Sequence, residues 1–95
     1  MNKDKINDFL SDNGFVGGQF LYPKATNIMK VYSNGNEILA YHYYNRKKGI
    51  NAYIDLFFNP KTKKIYADIG FIDKKIKITK LSISRLISIV NNLNK

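Results

Sequence analysis

Residues Tyr53–Phe71 read YIDLFFNPKTKKIYADIGF. Two runs of alternating apolar residues flank a turn-rich centre, Asn59-Pro60-Lys61-Thr62-Lys63. In the first run, extended back to Ile50, the even positions Ile50, Ala52, Ile54, Leu56 and Phe58 are all apolar. The odd positions are Asn51, Tyr53, Asp55 and Phe57. In the second run Ile65, Ala67, Ile69 and Phe71 alternate with Tyr66, Asp68, Gly70 and Ile72. Side chains alternate across a strand, so each run has one core face and one outer face. Pro60 suits the second position of a type I turn. A five-residue turn, 59–63, would pair Phe58 with Lys64 and mix the faces. A connection over 59–64 pairs Phe58 with Ile65, Leu56 with Ala67 and Ile54 with Ile69. A one-residue slip inverts every side chain, so the longer connection is the expected one. It sets Asp55 opposite Asp68.

Working outward, Asp4–Asn13 has a helical stripe at Ile6, Phe9 and Leu10. Asn2 or Asp4 can cap its start. Gly14 and Phe15 form a stop signal with a hydrophobic clasp. Gly17-Gly18 and Pro23 mark residues 16–26 as a loop, with a short extended piece at Phe20–Tyr22. Strands are expected at Asn27–Ser33 and Glu37–Asn45, joined through Asn34-Gly35. Ile50–Phe58 and Lys64–Ile72 follow, then a short strand, Lys75–Thr79, after Asp73-Lys74. Leu81–Leu93 closes the chain as a helix with a stripe at Ile83, Leu86, Ile87, Val90 and Leu93, capped by Ser82 or Thr79. Short links between strands predict an antiparallel meander. The fold class is α+β: an N-terminal helix, a four- to five-stranded antiparallel β meander and a C-terminal helix, in one domain over residues 1–95.

The second strand admits two orientations. A three-residue loop, Lys47-Lys48-Gly49, turns Ile38, Ala40, His42 and Tyr44 inward. A two-residue loop turns Leu39, Tyr41 and Tyr43 inward. Glycine at the third loop position favours the first. Tyr41 and Tyr43 then join Tyr53, Phe57 and Tyr66 on the outer face. That face is either a platform for stacked bases, a second small core under one of the helices, or a homodimer contact.

The chain has no cysteine, which excludes disulfides, thiolate zinc sites and thiol catalysis. A reducing cytoplasm, that of a bacterial host cell, fits this. No apolar run approaches the roughly 20 residues of a membrane span. Lys, Asn and Ile number 14, 12 and 13 against only 2 Arg. Their AT-rich codons suggest an AT-rich bacterial, phage or plasmid genome, and a phage or mobile-element origin is the expectation. The net charge is +9, and it is unevenly placed. Residues 1–40 carry four Lys against Asp4, Asp8, Asp12 and Glu37. Residues 41–95 carry twelve Lys or Arg against Asp55, Asp68 and Asp73, a balance of +9. Such asymmetry points to an acidic partner, most often nucleic acid.

Turns of a meander alternate between its two ends. Arg46, Lys47 and Lys48 should therefore share an end with Lys74 and Lys75. Lys61, Lys63 and Lys64 belong to the other end, and Lys80 and Arg85 lie near the closing helix. Like charges opposed on a sheet repel. Asp55 and Asp68 are thus candidates for a metal site, a contact for a basic or amide-bearing partner, or a pair relieved by Lys77, which should fall opposite Gly70 and diagonal to Asp68. His42, the one histidine, has no partner or pocket visible in the sequence. No cofactor motif is present: Gly14-Phe15-Val16-Gly17-Gly18 lacks a Walker pattern. The helix–strands–helix order invites comparison with double-stranded-RNA-binding domains. The tight lysine motif of their last helix and its following alanines are missing, and no family is assigned. The expectation is a small non-catalytic basic module that engages nucleic acid, or a protein surface that holds nucleic acid. The alternatives are a protein–protein inhibitor of a bacterial defence complex, of the anti-CRISPR kind, and a small metal-dependent nuclease.

Overall fold

The computed structural model describes residues 3–19, 38–58 and 64–93. Helix α1 (Lys3–Asp12) precedes strands β1 (Val16–Gln19), β2 (Ile38–Asn45), β3 (Ala52–Phe58), β4 (Ile65–Phe71) and β5 (Ile76–Leu81), and α2 (Ile83–Leu93) follows. The five strands form one antiparallel sheet in the order β1-β2-β3-β4-β5, so the fold is an α+β meander between two helices. The β3–β4 register is the expected one: Phe58 pairs with Ile65, Leu56 with Ala67 and Asp55 with Asp68.

Both helices pack on the same face of the sheet. Ile6 and Leu10 of α1 and Leu86 and Val90 of α2 join Tyr43, Ile54, Leu56, Ala67 and Ile69 in one buried cluster. Helix α1 ends as the Gly14-Phe15 pair predicts. The Phe15 N–H donates to the Leu10 carbonyl at 2.9 Å and the Gly14 N–H to that of Ser11 at 3.1 Å. With Gly14 at φ 86° this is a Schellman motif, clasped by buried Phe15 against Leu10. At the start of α2 the Arg85 N–H donates to the Ser82 hydroxyl, the expected cap.

Two expectations are corrected. Val16–Gln19 is a strand and not loop: it pairs with β2 through Val16–Tyr44 and Gly17–Tyr43. Gly17 is what the close approach requires. A Cβ on Gly17 would stand 2.1 Å from the His42 carbonyl oxygen, and Gly17 has φ 152°. The second correction concerns β2. Asn45 pairs with Ala52, Tyr43 with Ile54 and His42 with Asp55. This parity turns Tyr43 inward, where it is 1% exposed, and sends His42 and Tyr44 outward. Tyr41, partner of Leu56, also packs against the core.

The reason is the Asn45 side chain. Its amide donates to the Asn13 carbonyl at 3.1 Å and accepts the Lys47 N–H at 2.9 Å. An asparagine that bonds the backbone two residues on starts a turn. The ladder therefore stops at Asn45, and residues 46–51 form the link, closed by Ile50 N–H donating to the Lys47 carbonyl. The loop favoured from Gly49 started one residue too late and ended two too early. The expected strand at Asn27–Ser33, the extended piece at Phe20–Tyr22 and the turn lysines Lys61 and Lys63 lie outside the described residues.

Candidate functional site

The links β2–β3 and β4–β5 lie at one end of the sheet and are joined directly. The Ile72 N–H donates to the Asn51 carbonyl at 3.1 Å, and the Asn51 amide donates to the Asp73 carboxylate at 2.8 Å. Arg46, Lys47, Lys48, Lys74 and Lys75 are all exposed on these links. Arg46 lies 5.2 Å over the Tyr44 ring and Lys74 lies 5.9 Å over that of Phe71. Stacking holds part of each long side chain in place. Lys64 lies at the opposite end of the sheet. Lys80 and Arg85 lie where β5 runs into α2, so neither belongs to this basic end.

The face opposite α1 and α2 carries a polar row across four strands. His42, Asp55 and Asp68 are successive cross-strand partners on β2, β3 and β4. Lys77 of β5 pairs with Gly70 and lies diagonal to Asp68, as the register predicted. Its ammonium stands 3.7 Å from Asp68 Oδ2. Asp68 also accepts the Lys80 N–H at 2.9 Å. That bond has a local cause. Between Ile78 and Leu81, β5 spends one residue more than β4 spends between Ile69 and Ala67. Lys80 sits in the resulting bulge at φ 53°, and the carboxylate takes an N–H that the ladder leaves over.

Asp55 has a different partner. It lies 2.5 Å from His42 Nδ1 and is 4% exposed, while the His42 side chain is 39% exposed. An ionised carboxylate only accepts, so Nδ1 carries the proton. Burial raises the Asp55 carboxyl above its ordinary value. The hydrogen bond and charge of His42 pull the other way, Asp68 adds to the rise and Lys77 opposes it. Tyr53 stacks on His42 with ring centres 6.1 Å apart. Its ring also covers Gly70, where an added Cβ would stand 2.2 Å from it. A cleft of about 240 Å³, lined by His42, Tyr44, Arg46, Asn51, Tyr53 and Ile72 among others, connects this row to the basic end.

Of the five aromatics placed on the outer face from the sequence, Tyr53, Phe57 and Tyr66 are there, Phe57 and Tyr66 as a cross-strand pair. Tyr41 and Tyr43 are on the core face, and Tyr44 with His42 takes the outer positions. The two aspartates are opposed as expected, with the Lys77 contact that relieves Asp68. Among the described residues no group of three His, Cys, Asp or Glu is placed to hold a metal ion. No helix among them is long and apolar enough to cross a membrane. The His42–Asp55 contact was missed. Its signal was present in the alternative orientation of β2, which turns His42 outward onto the same face as Asp55.

A pH dependence follows from Asp55. A raised folded-state value means that the native chain holds this proton more tightly than the unfolded chain does. The contribution of Asp55 to stability therefore falls as pH rises from the ordinary 3.8 to the raised value, and is constant above it. Asparagine keeps an acceptor for His42 and removes the buried charge. In urea melts between about pH 4 and 8, Asp55→Asn should gain on the native chain through this window and then hold its gain. A difference unaffected by pH would contradict the assignment. Compared with known proteins, the chain shows no significant match to any family model, curated protein or solved structure.

Proposed function

We propose that the protein binds nucleic acid through the basic end of its sheet. The observation that carries this is the joining of the two basic links by the Ile72–Asn51 and Asn51–Asp73 hydrogen bonds. Five cations thereby face one partner from a braced platform, with Asp73 tied to Asn51. Hairpin lysines that only keep strand edges soluble need no such bracing. Four of the five are lysines, which are point charges, and base-edge reading favours arginine. The contact is therefore to phosphates and carries little sequence preference. Tyr44 and Tyr53 at the adjoining cleft offer faces on which a base can stack.

Fluorescence anisotropy with a labelled single-stranded 20-mer tests this. Five phosphate contacts give a slope of log affinity on log salt of about −3.5 for a single strand. Reversing Arg46, Lys47 and Lys74 to glutamate should flatten that slope and weaken binding at least about 100-fold at low salt. Binding that ignores salt, or that survives the reversal, would rule the reading out.

A further inference from the structure

We propose that His42 is a general base that cleaves bound RNA, taking the proton of a ribose 2′-hydroxyl. The inference rests on the nucleic-acid reading of the basic end and adds a reaction to it.

Three features of the cleft converge. First, Asp55 lies 2.5 Å from Nδ1 and holds the proton there, so Nε2 is the basic nitrogen of the neutral ring. A buried carboxylate in this position orients the ring and stabilises the imidazolium that forms when Nε2 takes a proton. Second, the ring is not buried with its partner: 39% of the His42 side chain faces solvent, on the wall of the cleft. Third, a phosphate-binding cation lines the same cleft. His42, Tyr44 and Arg46 follow at two-residue steps on one side of the chain. Four residues of strand span about 13 Å. The Arg46 guanidinium stacks on Tyr44, between them, at 5.2 Å. A phosphate held there shares the cleft with the imidazole. Asp68 is engaged by Lys77 and the Lys80 N–H, which leaves Asp55 as the carboxylate of the pair that serves His42.

RNA is the substrate this arrangement suits, because its nucleophile is internal and needs only a base and a charge on the phosphate. The 2′-O–H bond breaks and its proton goes to Nε2. The 2′-oxygen forms a bond to phosphorus, and the P–O5′ bond breaks. The departing 5′-oxygen takes a proton from solvent, and the imidazolium returns one to solvent. The products are a 2′,3′-cyclic phosphate and a 5′-hydroxyl end. No oxidant or co-reactant enters.

The assay is cleavage of a labelled single-stranded RNA in EDTA, beside DNA of the same sequence. Binding is followed separately with the 2′-O-methyl RNA, which cannot react. RNA should be cut to cyclic-phosphate ends and DNA left whole. His42→Ala should slow cutting by about 100- to 10,000-fold, far beyond any loss in its binding of the 2′-O-methyl strand. Asp55→Asn should also slow it. Its loss should fall on kcat and leave KM for the RNA unchanged, because only the tautomer and orientation of the ring are lost. RNA that is bound but not cut overturns this inference and leaves the binding reading standing. RNA neither bound nor cut overturns both. Cutting that persists in His42→Ala assigns the activity elsewhere and overturns it too.

Discussion

Tyr43→Ala is expected to lower folding stability by about 3–5 kcal/mol, the usual cost of removing a large core aromatic. Domains of this size are stable by about 5–15 kcal/mol, so the variant should be partly unfolded at 37 °C. Tyr43 is 1% exposed and sits between α1 and β3, opposite Ile54. Its hydroxyl donates to the Asn7 side chain at 2.9 Å, so it also tethers α1. Burial, with the Tyr41 phenol nearby, keeps that hydroxyl protonated above its ordinary range. Tyr43→Phe keeps the ring and loses the tether, at about 1 kcal/mol. Chemical denaturation of both variants checks the pair. A tyrosine on an outer stacking face would give the opposite pattern, with little change in stability. A cost below about 1 kcal/mol for the alanine would place Tyr43 there.

Gly17→Ala comes second, at about 2–4 kcal/mol. The new methyl would meet the His42 carbonyl at 2.1 Å and the Tyr43 Cα at 2.9 Å, both backbone and unable to swing aside. The left-handed φ of 152° adds strain. Strand β1 should come away from β2, and faster hydrogen exchange of the β2 amides that face it would report this. Gly49→Ala is the control. Its φ is 90°, but nothing lies within 4 Å of the added methyl. It should lose only about 1 kcal/mol. Equal losses at the two glycines would mean that steric approach is not what reserves position 17.

These two residues also mark where the sequence is silent. Alternation is a strong signal where both faces are distinct, and Ile50–Ile72 has that property. Its register, the opposed aspartates and the Lys77–Asp68 contact were all legible there. Strand β2 has aromatic residues on both faces at Tyr41, His42, Tyr43 and Tyr44, so parity depends on the link alone. That link is set by a side chain, Asn45, whose bond to Lys47 is local but whose bond to Asn13 exists only once α1 is in place. The His42–Asp55 contact inherits the same dependence. Strand β1 is legible only in reverse: Gly17-Gly18 reads as loop until a carbonyl is found where a side chain would go. The clustering of Arg46, Lys47 and Lys48 with Lys74 and Lys75 follows from meander topology alone. The hydrogen bonds through Asn51 that brace the two links needed coordinates.

The bulge at Lys80 has a consequence for how copies of this chain meet. Strand β5 is the last of the sheet, and an outermost strand is where amyloid-like stacking begins. An incoming strand would find regular spacing only as far as Ile78, then a left-handed residue and an amide already committed to Asp68. It would also bring its backbone up against Lys77 and Lys80. The row of charges that crosses the sheet thus ends in a device against fibril growth, even though Ile76 and Ile78 stand exposed beside it.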